Sequence, residues 1–418
     1  MSQLFRPFRV NDFRLLFTGE SISVIGDNFH FVALAWLTLQ LTGSGLALGS
    51  VLMVAAIPQV IFMLVGGALS DRFSPRSLML YSNAFRAVVV GIVAALVLTG
   101  NAALWQLYIM AAIFGVVDAL FYPALNAVVP MLVDEPTLAP ANALMQGSQQ
   151  FATLIGPALA GFVVAWVQTG PAFAFDAVSF AVAATALVFV RGGRRTTAAG
   201  EHATGDAKPS LLATIRAGLG YAWADPAVRS LILLTAAFNF AFTGPLLVGL
   251  PFMSDHGLGG GSATFGLLLS GFGAGALFGA IAAGSIARLP RMGTVVLLIA
   301  IGLGIGLGLL GVAPNVATAF ALLIAMGLGA GFLNVNIISW LQGRTAEEMR
   351  GRVMSMVMLG SVGLAPFSYA LAGAVVDLGP VALMFAVAGG IVVIASVAGL
   401  LAGVAEQMVY APAEAEQT

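Results

Sequence analysis

The chain has 418 residues, of which 60% are hydrophobic and only 8% charged, with a formal net charge of −1 and no cysteine. Soluble domains carry about 25% charged residues, so this composition excludes a water-soluble core and implies a membrane bundle. The lack of cysteine excludes disulfides, thiolate chemistry and cysteine metal sites, and the near-zero charge gives no electrostatic case for nucleic acid.

The chain opens with Arg6, Arg9 and Arg14, but the apolar segment behind them holds Glu20, Asp27 and Asn28 and lacks a small-residue cleavage site. It reads as a retained helix, not a signal peptide. Apolar runs of about 20 residues, enough to cross a bilayer core of about 30 Å, are bounded by Gly, Pro, Asn or charge. They predict helices at roughly 14–41, 46–70, 77–99, 104–126, 140–167 and 171–190. Gly192 to Pro209 reads as a flexible linker. Beyond it, Leu211, Leu212, Ile215, Leu219 and Trp223 recur at helical spacing beside Arg216. They predict a short helix on the inner membrane surface or an early start to the seventh span. A second set follows at roughly 228–252, 262–287, 292–312, 316–341, 351–376 and 380–404.

The expected architecture is an all-α membrane protein of twelve transmembrane helices in two pseudo-symmetric six-helix bundles. Residues 1–190 form the N-terminal bundle, 191–227 a cytoplasmic linker, 228–405 the C-terminal bundle and 406–418 a cytoplasmic tail. The halves echo each other. Gly67 precedes Arg76 by the same interval as Gly279 precedes Arg288, and Pro157 and Pro366 are expected to interrupt the fifth and eleventh helices. Related halves are a common transporter plan.

Placing the N-terminus in the cytoplasm puts Arg6, Arg9, Arg14, Arg72, Arg76, Arg191, Arg194, Arg195, Lys208, Arg216, Arg229, Arg288, Arg291, Arg344, Arg350 and Arg352 on that side. Of the basic residues only Arg86 falls within a span, and no outer loop holds one. By the positive-inside rule both termini are cytoplasmic, and the expected location is a bacterial-type cytoplasmic (inner) membrane.

A charge within the bilayer costs at least about 2.5–3.5 kcal/mol, so each needs a partner, a water cavity or a function. Glu20, Asp27 and His30 share one face of the first helix. Asp27 lies about 18 Å along that helix, near mid-membrane, and is the first candidate for carrying a proton. The alternative is a fixed charge that ties the first helix to its neighbours. His30 either titrates or acts as a neutral hydrogen-bonding group. Arg86 and Asp118 are each about 12–14 Å deep and can meet, with Glu20 slightly shallower; the cluster is either a fixed salt bridge or part of proton or substrate handling. Asn142, Gln146, Gln149, Gln150 and Thr153 run along one face of the fifth helix, lining a wet cavity or making interhelical hydrogen bonds. Asn239, Asn334 and Asn336 are further cavity candidates.

An ATP-driven pump requires a phosphate loop with Gly-Lys-Ser or Gly-Lys-Thr, yet the only lysine, Lys208, follows Ala207. His30, His202 and His256 are too dispersed for a metal site. No cofactor, metal or enzymatic activity is expected.

The stretch Gly67-Ala68-Leu69-Ser70-Asp71-Arg72-Phe73-Ser74-Pro75-Arg76 resembles the loop signature GxLaDrxGrk of the major facilitator superfamily, with Ser74 at the second glycine and Pro75 at a basic position. Gly156, Pro157 and Gly161 are similar to the fifth-helix motif of its exporters. They do no chemistry; they allow close packing or a bend. Asn11 to Leu16, Gly26 to Trp36 and Gly351 to Val353 resemble the branch that holds drug:proton antiporters, macrolide exporters and siderophore exporters. The resemblance implies the major facilitator fold and a gating contact of Asp71 with the start of the eleventh helix, near Gly351, whose dipole favours an anion. It also implies secondary transport: a proton-coupled exporter of small amphipathic compounds, acting as a monomer in the lipid bilayer. A lipid or lysolipid flippase on the same fold is the alternative, and a transport-dead sensor or assembly partner a third reading.

Overall fold

The computed structural model describes residues 3–70, 73–192, 220, 223–286, 291–345 and 347–408, and every regular element among them is helical. After a short 3-10 turn (Gln3–Arg9) come α1 (Asn11–Thr42), α2 (Gly45–Ser70), α3 (Pro75–Leu98), α4 (Leu104–Leu132), α5 (Glu135–Val167) and α6 (Thr169–Phe189). Then follow α7 (Pro226–Gly257), α8 (Gly261–Ser285), α9 (Met292–Leu310), α10 (Val316–Arg344), α11 (Glu347–Val362, resuming as Ala365–Leu378) and α12 (Val381–Leu401). Twelve of the described helices are long and apolar enough to cross a membrane. Most of the linker, residues 193–219 and 221–222, and with it the segment from Leu211 to Leu219, lies outside the described residues.

Several boundaries differ from expectation because proline and amide residues do not end these helices. α4 continues past Asn126 and Pro130 to Leu132, and α5 starts at Glu135 instead of 140. Pro136 sits in the first turn of α5, where a missing N–H leaves no bond unmade. α5 also passes Pro157 without a break, and the Ala158 N–H just beyond it donates to Ser270 Oγ at 2.9 Å. α11 does break, at residues 363–364, and Pro366 occupies the first turn of its second piece.

The chain divides into two compact units: Met1–Thr204 with Leu250–Ser270, and Gly205–Gly249 with Gly271–Thr418. The segment Leu250–Ser270 belongs to the first unit because it packs on α1 and α5. Phe265 meets Phe31 at 6.2 Å between ring centroids, and Ser262 Oγ donates to the Gly161 carbonyl at 3.1 Å. Gly161 and Gly266 lie so close that a Cβ on either would meet the other helix's backbone, the small-residue packing that lets membrane helices approach.

In the first unit α1 is the central helix. Its most apolar window is 67% buried, against 33–44% for the other spans. α6 lies along it over Gly19 and Gly26: a Cβ at Gly19 would press on Ala183 and Ala186, and one at Gly26 would overlap Ser179 and Asp176.

α7 contains two π-helical stretches, Pro245–Gly249 at the end of its second-unit part and Met253–Gly257 in its first-unit part. A hydroxyl from α11 enters the ladder at the first of them. The Gly244 N–H donates to Ser368 Oγ at 2.8 Å, and that oxygen donates to the Phe240 carbonyl. Such an insertion is a standard cause of a bend. Ser368 is 2% exposed, so water does not replace it. Ser368→Ala is expected to destabilise the protein by about 1–3 kcal/mol, the cost of leaving a buried polar group unpaired, and Ser368→Thr to retain most of the stability. Thermal unfolding in detergent reads both; an unchanged midpoint in Ser368→Ala would mean that the ladder closes without the hydroxyl.

The start of α7 carries its own cap. Asp225 Oδ1 accepts from the N–H groups of Ala227 (2.9 Å) and Val228 (3.4 Å), and Oδ2 from Arg344 Nε at 2.8 Å. Partial burial pushes this carboxyl up, but the Arg344 hydrogen bond, the backbone donors and the Arg344 charge together outweigh burial and hold it below its ordinary value. A lowered folded-state value means that the stabilisation is present above the unfolded value of about 3.9 and is lost as pH falls through the folded one. Asp225→Ala should therefore cost about 0.5–2 kcal/mol near neutral pH, and its deficit against wild type should shrink below about pH 4. Thermal midpoints measured across that range check both statements.

Candidate functional site

The close approach of α1 and α6 encloses a polar stripe. Glu20 and His30 are buried and Asp27 is half-buried. Each has different surroundings. Glu20 Oε1 accepts from Asn83 Nδ2 of α3 at 3.2 Å. Asp27 lies within Coulombic reach of Arg86, Asp176, Asp118 and Glu20. His30 Nδ1 faces Asp176 Oδ2 of α6 at 3.2 Å.

Arg86 and Asp118 do meet, in a direct ion pair between α3 and α4. The guanidinium is buried and surrounded by rings, with its Cζ 4.6 Å from the Phe121 centroid, 5.3 Å from Phe180 and 5.7 Å from Phe114. Desolvated cation–π contacts of this kind contribute about 2 kcal/mol or more. Arg86 Nε and Asn83 Oδ1 lack a hydrogen-bond partner. Glu20 is near this pair without bonding to the guanidinium.

A cavity of about 440 Å³ opens between α1, α4 and α5. Glu20 and Tyr122 are on its wall, with Asn126 and the α5 amides Asn142, Gln146 and Gln149. Gln150 and Thr153 are not on that wall; the Thr153 hydroxyl donates to the Gln149 carbonyl of its own helix at 3.0 Å. Ser148 Oγ donates to Ser21 Oγ at 2.6 Å, joining α5 to α1 beside the cavity. Glu20, not Asp27, is therefore the acid that faces this space.

The second unit has a chamber of about 660 Å³. Its wall is mostly aliphatic and aromatic, including Phe238, Phe242 and Phe272, and its polar groups, Thr235, Asn239, Asn334, Ser361 and Ser396, are all uncharged. Asn336 is not on that wall and donates to the Phe332 carbonyl at 2.9 Å.

Among the loop-motif residues, Gly67 lies in α2, while Asp71 and Arg72 fall outside the described residues. Arg76 closes the end of α6: its Nε donates to the Leu187 carbonyl and its terminal nitrogen to that of Val188, both at 2.8 Å. Asp12 Oδ2 accepts from the N–H groups of Arg191 (3.1 Å) and Gly192 (2.6 Å) at the same place. A cation on the last carbonyls of a helix also complements its dipole. In the α5 motif, Gly156 packs on Asn28 of α1 and Gly161 on α8.

Sequence reasoning missed Asp176, Asn83, Tyr122 and Ser179. The signal for Asp176 was present, since an acid within the apolar run 171–190 falls under the same rule that singled out Asp27. Asn83 and Ser179 gave no such signal, because an isolated amide or hydroxyl in a span is ordinary. Among the described residues no group of three or more His, Cys, Asp or Glu could hold a metal ion.

Residues 16–361 match the family model described as Major Facilitator Superfamily. The chain is 26% identical over 381 residues to the uncharacterized MFS-type transporter YfiS of Bacillus subtilis (90% of this chain, 89% of that protein). It is 24% identical over 368 residues to the multidrug efflux pump Tap of Mycolicibacterium fortuitum (84% and 86%). Among solved structures, a point mutant of the nucleoside transporter NupG superposes with a TM-score of 0.73 at 12% identity, covering 93% of this chain and 99% of that one. At that identity the likeness concerns the fold alone.

The Arg86–Asp118 pair yields a test of its own. Removing one partner of a buried pair costs about 3–5 kcal/mol, whereas replacing both by apolar groups is often neutral. Asp118→Leu alone should lower the thermal midpoint, and Arg86→Met with Asp118→Leu should recover most of the loss. A stable double variant that no longer transports would assign the pair a role in function; one that still transports would make it a structural tie.

Proposed function

Because the chain belongs to the Major Facilitator Superfamily, we propose that it is a secondary active exporter that exchanges protons for small amphipathic compounds by alternating access. The observation that carries this reading is the cluster of buried Glu20, Asp176, Arg86 and His30 with half-buried Asp27 and Asp118, of which Glu20 reaches the wall of an amide-lined cavity. An acid held away from water is costly when charged, so binding a proton changes the energy of the site. With Arg86 already matched by Asp118, three acids are left with one titratable base. Asp27 is our coupling carboxylate, and Glu20 links it to the cavity.

The wall of each unit, taken by itself, supports this cargo class. Amides and one acid in the first unit suit polar or cationic groups, and the uncharged, mostly apolar chamber of the second suits a lipophilic body. Export is supported by the similarity to a protein named as a multidrug efflux pump. We place both termini in the cytoplasm of a bacterial-type inner membrane on the distribution of basic residues. Asp71 and Arg72 act in this reading as a cytoplasmic gate, and the working unit is a monomer. A second reading, lipid or lysolipid translocation, is favoured by the chamber alone, whose wall would accept an acyl chain.

The test is reconstitution in liposomes loaded with a pH dye, with cationic dyes, macrolides and siderophores added in turn. Wild type should move protons in response to at least one compound, and Asp27→Asn should reduce that movement to background. Flux that survives in Asp27→Asn but is lost in Glu20→Gln would shift coupling to Glu20. No flux with any compound, together with movement of a fluorescent lysolipid between leaflets, would replace the exporter reading by the flippase.

A further inference from the structure

His30 and Asp176 belong to the cluster above without a role of their own in it, and protein encloses them closely. Asp176 is fully buried and His30 is 8% exposed. The imidazole stacks on Phe114 with centroids 4.3 Å apart and meets the edge of Phe173 at 5.7 Å. His30 Nδ1 and Asp176 Oδ2 face each other at 3.2 Å, and neither has another hydrogen-bond partner. The other carboxylate oxygen lies 3.4 Å from Ser179 Oγ, whose hydrogen goes to the Asp176 carbonyl at 2.8 Å. Gly26 makes this possible, since a Cβ there would occupy the space of Ser179 and Asp176.

Gly26 is followed by Asp27, and His30 is one turn further along α1. Side chains three apart on a helix are neighbours, and Asp27 is within Coulombic reach of Asp176. Two carboxylates and one imidazole are thus close neighbours. The other ionisable groups near it are Glu20 on α1, Arg86 on α3, and Asp118 and Tyr122 on α4. α2 has no titratable side chain, and α5 has none after Glu135. Arg86 is matched by Asp118, and Glu20 is held by Asn83.

We propose that His30 and Asp176 form a proton-holding pair that acts through Asp27, setting the pH at which this carboxylate loads and releases its proton. The pair carries one proton in either of two arrangements, on Nδ1 or on Oδ2. When the proton moves from Nδ1 to Oδ2, one N–H bond breaks and one O–H bond forms, and no other reactant is needed. Like charges disfavour each other's ionisation and opposite charges support it. The Asp176 anion therefore opposes ionisation of Asp27, and the His30 cation supports it. Each acts as a positioning residue of opposite sign.

This deepens the transport reading, on which its role rests, but its test does not require transport. The full-length protein in lipid is titrated while the infrared carbonyl band of protonated carboxyl groups is followed, and the part of the band lost in Asp27→Asn reports Asp27. In Asp176→Asn that part should shift its midpoint to lower pH, and in His30→Gln to higher pH, each by about one unit, a tenfold change in proton concentration. The double variant should return close to wild type, as expected of coupled neighbours. A purely structural role would not produce shifts of opposite sign, and His30→Asn replaces His30→Gln if the latter does not fold. No shift, or shifts of the same sign, overturns the proposal. Opposite shifts in a protein that moves no protons in liposomes would sustain the pair while removing the exporter reading.

Discussion

The close contact of α1 with α6 is what allows this protein to hold charge inside an apolar chain. Gly19 lets α1 approach the α6 backbone and Gly26 leaves room for Ser179 and Asp176, in a region where Glu20, His30 and Asp176 are buried and Asp27 half-buried. A charged side chain facing hydrocarbon would be expelled or would prevent insertion. Facing inward, it meets Asn83, Arg86 and Tyr122 from two further helices. The polar stripe on α1 and the small residues beside it are therefore one device: the glycines create the space and the charges use it.

Two kinds of polar site result. The first unit places its charge in a narrow, ring-lined interior, where Phe114 contacts both the His30 ring and the Arg86 guanidinium. Its amide-lined cavity touches that interior at Glu20 and Tyr122. The second unit has a wider chamber without a charged group on its wall, and its buried polar atoms serve the backbone, as Ser368 does for α7. Charged groups and the larger apolar wall thus lie in different parts of one chain.

Helix breakers in this molecule are handled by neighbours. Pro157 leaves α5 continuous while Ser270 takes the adjacent N–H group. Pro245 opens a π-helical turn in α7, where a hydroxyl from α11 enters the ladder, and Pro251 lies in the short α-helical turn before the second one. In a bilayer, where water is absent, freed backbone groups must find such partners. Breaks and bends consequently depend on the surroundings of a proline and not on its presence.

The sequence by itself determined the membrane class, the number of spans, the family and the presence of buried acids, because apolar length and the cost of intramembrane charge act on each segment independently of its neighbours. Periodicity also placed Glu20, Asp27 and His30 on one face of α1, since that depends only on the geometry of a single helix. The tertiary structure decided who meets whom: His30 with Asp176, Glu20 with Asn83, Arg76 with the end of α6. It also decided that Asn142, Gln146 and Gln149 line the cavity while Gln150 does not. A helical repeat gives the angle of a side chain around its own axis. Which helix lies opposite, and how near, is set by the packing of small residues far apart in the chain, and that information exists only once the helices have assembled.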